Sequence, residues 1–235
     1  MTAKDSSWLD LYQTLLDAWG PQHWWPADSP FEVMVGAILT QNTAWSNVEK
    51  AIGRLRQAQA LTVSAVLKAR DAELEEWLRP AGYFRVKAKR LRAFCQFLEE
   101  QGVAEQPQLL GLDLETLSLR ALLLGVHGVG EETADSILLY ALGRSIMVVD
   151  AYTRRIGSRL GWVGASIGYK DLQGVIEASL PTKSGVPLRK EFHALLVSLG
   201  KEHCRPRNPR CHRCPVQAFC RYGQGVSDQG RVRAD

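Results

Sequence analysis

The chain is predicted to be all-α, and three features of its 235 residues carry that prediction. Apolar residues recur at helical spacing, and between Val48 and Leu98 no apolar/polar alternation is long enough for a sheet. Capping signals, one with proline at the first helical position, stand ahead of these apolar stripes. Between Leu124 and Asp150 an apolar run stops at Gly125, a short loop carries Gly128 and Gly130, and helical spacing resumes as Ile137, Leu138 and Leu142. This last pattern reads as helix, hairpin, helix.

Taken in order, Trp8, Leu11, Leu15, Leu16 and Trp19 stripe a first helix that ends at Gly20-Pro21. Trp24 and Trp25 follow, and packing under that helix is a common use of tryptophan. Ser29-Pro30-Phe31-Glu32 is a capping box, so a helix begins there with Phe31, Val35, Ile38 and Leu39 as its buried face. Its pattern breaks at the polar Thr40-Gln41-Asn42-Thr43. Ser46 and Glu49 form a second capping box just after Trp45. Pro80 and Gly82 mark a turn, after which a helix packs Leu91, Phe94, Cys95 and Leu98 inward. Arg85, Lys87, Lys89, Arg90 and Arg92 crowd the start of that helix, either as a solvated face or as phosphate contacts. Residues 101–108 read as a loop before a helix holding Leu114, Leu117 and Leu122. Tyr152 to Leu160 continues as helix, with Asp150 a favoured N-cap just ahead of it. Residues 161–190 are weakly patterned, and Phe192, Leu195, Leu196 and Leu199 restore the helical spacing.

Composition bounds the function classes. At 46% hydrophobic, the chain can bury a proper core as one large or two small domains. It has no run of about 18 apolar residues and no basic-then-apolar leader, which predicts a soluble cytoplasmic protein without a membrane partner. Net charge is +4, yet residues 201–235 alone carry +5 while the first 200 sit near −1. A basic section on a nearly neutral body suits a polyanion, or simply solvated charge.

Four of the five cysteines lie within 17 residues as Cys204-x6-Cys211-x2-Cys214-x5-Cys220. Such clustering in a cytosolic protein argues for a metal held by four thiolates rather than for disulfides. Iron–sulfur and zinc both accept that donor set. Arg205, Arg207, Arg210 and Arg213 stud the loop between these ligands. In the hairpin, glycines let the backbone approach a partner closely, and the N–H groups opening its second helix suit a phosphate. An ordinary glycine-rich turn would look the same. Cys95, on an apolar face, reads as a core residue.

Gly125-Val-His-Gly-Val-Gly130, Thr133-Ala134 and Val148-Val149-Asp150 together resemble the helix-hairpin-helix plus Gly/Pro-Asp signature of the endonuclease III superfamily of DNA glycosylases. The resemblance implies two helical lobes: a barrel over residues 28–144, with the helix-hairpin-helix at about 115–142, and a second lobe joining 1–27 to 145–235, with a DNA cleft between them. It assigns the cysteine spacing at 204–220 to a [4Fe–4S] loop held by Cys204, Cys211, Cys214 and Cys220. It makes Asp150 catalytic, its carboxylate facing the sugar C1′ of a nucleotide flipped out of double-stranded DNA. Gly125, Gly128 and Gly130 would grip the backbone, Gln41 would plug the gap left by the flipped nucleotide, and Tyr83 and Phe84 would wedge the duplex with Arg85 and Lys87 on phosphates.

One position departs from the bifunctional pattern. Where those members carry a Schiff-base lysine, the run here is Gly128-Val-Gly-Glu-Glu132-Thr-Ala134, and a carboxylate cannot form an imine. The resemblance therefore implies a monofunctional glycosylase acting as a monomer. Trp24-Trp25-Pro26 with Leu39 to Trp45 looks most like the 3-methyladenine branch, in which aromatics at the places of Trp25 and Trp45 sandwich a cationic base. The best-known form of that branch lacks the cysteine cluster, so the features of two branches are mixed. Endonuclease III activity on oxidised pyrimidines and damaged-DNA binding without catalysis are the two alternatives.

Overall fold

In the computed structural model the described residues are 7–181 and 185–225, and all regular structure among them is helical. The chain divides into two compact units, one made of Met1–Trp24 with Ile146–Asp235 and the other of Trp25–Ser145.

The continuous unit is built around α2 (Pro30–Leu39). Ser29 caps it by accepting from the Glu32 backbone N–H, while the Glu32 carboxylate accepts from Asp28 N rather than closing the box on Ser29. Every residue from Phe31 to Leu39 is buried, so the helix has no solvent face, as expected of an element apolar all round. Glu32 is tolerated there because Arg56 meets it at 2.6 Å. Around it run α3 (Trp45–Gln57), α4 (Val63–Lys68), α5 (Asp71–Leu78) and α6 (Phe84–Glu100). The serine-glutamate box expected at Ser46 does not form. The helix starts earlier, on Ala44, with no side-chain cap.

In α6, Leu91, Phe94, Cys95 and Leu98 are fully buried, as their spacing predicts. Burial pushes the Cys95 thiol up to about 12, which keeps it an inert core residue. In α7 (Thr116–Leu124) the buried face is Leu119, Arg120 and Leu123, whereas Leu117 and Leu122 are exposed, and Leu114, also exposed, lies ahead of the helix and not in it. The run is leucine-rich on all sides, so periodicity does not say which stripe turns inward. Arg120 is buried because it forks onto Asp135 at 2.6 and 3.0 Å, tying α7 to α8 (Glu131–Ser136). The helix then widens into one π-turn over Ile137–Ala141.

The second unit packs α1 (Trp8–Trp19), α9 (Ala151–Leu160), α10 (Tyr169–Ser179), α11 (Gly185–Glu202) and α12 (Arg221–Gly225). Its core joins Leu11 and Leu15 to Ile156, Leu160, Leu172, Ile176, Phe192 and Leu196. Helix α9 runs over the residues its sequence predicts, because Asp150 caps one end and Gly161, at φ 83, turns the other. Helix α10 lies in the weakly patterned stretch, where two buried residues, Leu172 and Ile176, are its whole inward stripe.

Candidate active site and metal centre

Asp150 sits where an extended segment turns into α9, and α10 fixes that segment. The Met147 N–H donates to Glu177 at 2.7 Å, Gln173 donates to the Met147 carbonyl at 2.6 Å, and the Val149 N–H donates to the Tyr169 hydroxyl at 3.2 Å. The backbone that delivers Asp150 is thus held at two of its last three residues.

The two carboxylate oxygens of Asp150 do different work. Oδ1 accepts from the Thr153 N–H at 2.7 Å and from the Thr153 hydroxyl at 2.8 Å, which completes the N-cap. Oδ2 faces His193 Nε2 at 3.7 Å, beyond direct hydrogen-bond length but within reach of charge. Asp150 is 8% exposed. Burial pushes its carboxyl up, but the His193 imidazole and the two Thr153 donors overcome this and hold it below the ordinary carboxylate value. The cap and a charged carboxylate therefore coexist, each on its own oxygen. His193 carries no motif, and the one hint of it in the sequence is a polar residue inside the apolar stripe from Phe192 to Leu199.

In the other unit, Gln41 is docked on the hairpin. Its Nε2 donates to the Gly128 carbonyl and the Thr133 hydroxyl, both at 2.9 Å, and its Oε1 accepts from Arg90. Arg90, which the charge pattern only counts among five cations, also lies across Gly128: a Cβ there would meet the arginine side chain at 2.2 Å. Gly128, at φ +84, is the hairpin glycine that needs to be glycine on both counts. Gly125 and Gly130 hold ordinary negative φ as the cap residues of α7 and α8. Glu132 is exposed on the first turn of α8.

Lys87 is a correction. Its side chain is buried, 1% exposed, and its ammonium donates to the Leu39 carbonyl at 2.9 Å and the Ala81 carbonyl at 2.7 Å. It closes the C-terminal end of α2 instead of facing phosphate. Burial and the nearby Arg90 lower it to about 8. Arg85 is exposed, and Tyr83 stands out at 73% exposure with φ 46. Phe84 is half-buried, with the Arg79 guanidinium 4.9 Å from its ring.

Trp25 and Trp45 do meet, but not as a sandwich. Their ring centroids are 5.0 Å apart at 88°, an edge-to-face contact that leaves no slot for a base between two parallel faces. Tyr140 joins them at 5.2 Å from Trp25, whose ring also lies against Gly36 of α2. The tandem tryptophans divide their work, since Trp24 packs on His193 at 5.5 Å in its own unit.

The four cysteines Cys204, Cys211, Cys214 and Cys220 line one small cavity beside Ile156, Leu160 and Val216. Burial, together with the other three thiols, pushes Cys214 up to about 12, and Cys211 and Cys220 are raised as well. Among the described residues no group of three or more His, Cys, Asp or Glu closes around a single ion. Four thiols around one cavity are the donor set of a multi-iron cluster, as they are of a zinc site. Arg159 donates to Cys204 Sγ at 3.4 Å and to the Arg205 and Pro206 carbonyls, and so pins the loop. Among the described residues no helix is long and apolar enough to cross a membrane.

Known proteins resemble this chain in sequence and in fold. Residues 35–181 match the HhH-GPD superfamily of base excision DNA repair proteins, and 204–220 match the iron–sulfur binding domain of endonuclease III. A Methanocaldococcus jannaschii protein named as a DNA repair glycosylase is 45% identical over 89% of this chain and 94% of its own. A non-covalent endonuclease III–DNA complex superposes with a TM-score of 0.80 at 22% identity, covering 95% of this chain and 97% of that one. The 3-methyladenine DNA glycosylase of H. pylori, bound to 1,N6-ethenoadenine, gives 0.72 at 26% identity over 83% and 98%.

Proposed function

The chain belongs to the HhH-GPD superfamily of base excision DNA repair proteins, and from that membership we propose that it removes alkylated purines such as 3-methyladenine by hydrolysis alone. It is a DNA N-glycosylase that carries a [4Fe–4S] cluster. Cys204, Cys211, Cys214 and Cys220 would hold the cluster, which would fix the fold of their loop, and Arg205, Arg207, Arg210 and Arg213 on that loop would meet DNA phosphates.

The observation that carries the hydrolytic reading is Asp150 standing ionised while Glu132 occupies the place of the Schiff-base lysine. An alkylated purine already bears positive charge. When its bond to C1′ breaks, the bonding pair neutralises the base, so no general acid is required. The sugar becomes oxocarbenium-like, and Asp150 Oδ2 stabilises it. Water then attacks C1′ and gives its proton to that carboxylate. With Glu132 where the imine-forming lysine would stand, the product is an abasic site in an unbroken strand.

Trp25 and Trp45, crossed rather than parallel but both partly exposed, support the substrate class through a single ring face and not a sandwich. An electron-poor cationic base gains on the order of 1 kcal/mol from an electron-rich ring, which a neutral pyrimidine does not. Tyr83 serves as the wedge, Arg85 as a phosphate contact, the Gly125–Gly130 backbone as the strand clamp, and Gln41, released from the hairpin, as the plug. The protein acts as a monomer.

A set of duplexes each bearing one lesion tests this, read with and without alkaline cleavage of abasic sites. Release of alkylated purine that yields strand breaks only after alkali is expected. Release of oxidised pyrimidine without alkylated purine would refute the substrate assignment.

A further inference from the structure

We infer that His193 is a positioning residue for Asp150: its imidazole supports the negative charge of the carboxylate while leaving Oδ2 available to the sugar. This rests on the reading of Asp150 as the group that faces C1′.

The geometry separates support from obstruction. Oδ1 is committed to Thr153, so Oδ2 alone is left for chemistry. A residue hydrogen-bonded to Oδ2 would compete with substrate for it. At 3.7 Å, His193 Nε2 is too far to do so, yet near enough to act through charge in a site where Asp150 and His193 are 8% and 4% exposed.

The spacing is held from several sides. Helix α9 approaches α11 so closely at Gly200 that a Cβ there would lie 2.2 Å from the Tyr152 ring. Trp24 covers the imidazole at 5.5 Å with the planes tilted by 33°. The neighbouring Phe192 is fixed by Trp8 and Tyr12 of α1. Neither Asp150 nor His193 can move toward the other without disturbing this packing.

The other titratable groups around α11 have other engagements. From α9, the Tyr152 phenol is raised by burial and by the Asp150 charge, and Arg155 lies over that ring while donating to the Cys204 and Gly200 carbonyls. From α10, Glu177 is paired with Arg189. From α1, Tyr12 is raised by burial and by Glu191. On α11 itself, Glu191 accepts from Gln22 N, and burial lowers Lys190. His193 is the group set against Oδ2.

The test uses cluster-loaded full-length protein, with its visible absorbance followed alongside, and single-turnover release of 3-methyladenine from about pH 3 to 8. In His193→Gln and His193→Phe the acid limb of the rate should move up by about one pH unit, because the carboxylate loses the imidazole that helps hold it below the ordinary value and so protonates at a higher pH. The rate near pH 8 should fall far less. A uniform loss at every pH, or an unmoved acid limb, would overturn the assignment. A 13C titration of the Asp150 carboxylate in unaltered protein needs no variant and no activity. Ionisation below the ordinary carboxylate value is expected, and ionisation at or above it would equally overturn the assignment. Failure of the unaltered protein to release any base would instead overturn the catalytic reading of Asp150 on which this rests.

Discussion

Replacing Asp150 by asparagine separates its two tasks. Asparagine keeps an oxygen for the Thr153 N–H and hydroxyl, now held at 2.7 and 2.8 Å, and is as good an N-cap as aspartate. The loss of stability should therefore stay within about 1 kcal/mol, the difference between charged and neutral acceptors at one cap. For a chain of this length that is a drop of roughly 2–4 °C in Tm. The chemical loss should be larger, because the charge proposed to stabilise an oxocarbenium-like sugar is gone. Removing one such preorganised group costs about 2.7–4 kcal/mol, or on the order of 100-fold to 1000-fold in rate. Asp150→Ala loses the cap as well and should cost about 0.5–2 kcal/mol in stability. The assay pairs single-turnover base release with duplex binding and thermal unfolding. Asp150→Asn should bind lesion duplex and unfold almost normally while base release collapses. If it releases base at the unaltered rate, Asp150 has no part in the mechanism. If it fails to fold, the negative charge itself, and not only the cap, holds this end of α9.

Protein purified without oxygen should be yellow-brown with about four irons per chain, and a colourless protein with one zinc would refute the cluster. Because burial raises Cys211, Cys214 and Cys220, loading must strip their protons, so acidification should favour loss of iron, seen as bleaching of the visible absorbance. Trp45→Ala should slow release of alkylated purine by roughly 10-fold, the worth of one stacking face; an unchanged rate would remove Trp45 from the pocket. Borohydride should trap no covalent adduct with the natural chain, whereas Glu132→Lys should introduce a trappable imine. A strong band without that substitution would show that another amine attacks C1′.

The sequence alone determines whatever depends on local order. Ser29, Asp150 and Gly161 mark helix ends because capping involves neighbours three or four residues apart, and Leu91 to Leu98 turns inward because a helix repeats every 3.6 residues. The cysteine spacing with the hairpin and Asp150 is enough to identify the superfamily and its cluster. Distance across the chain is another matter. Lys87 looks like its exposed cationic neighbours until α2 delivers the Leu39 carbonyl to it, 48 residues away in sequence. Trp25 and Trp45 can be read as parallel walls until their planes are seen to cross at 88°. His193 gains its meaning only from an oxygen 43 residues earlier, at 3.7 Å. Periodicity assigns a side chain to one face of its own helix, but what that face meets is decided by packing between helices that the chain brings together only on folding.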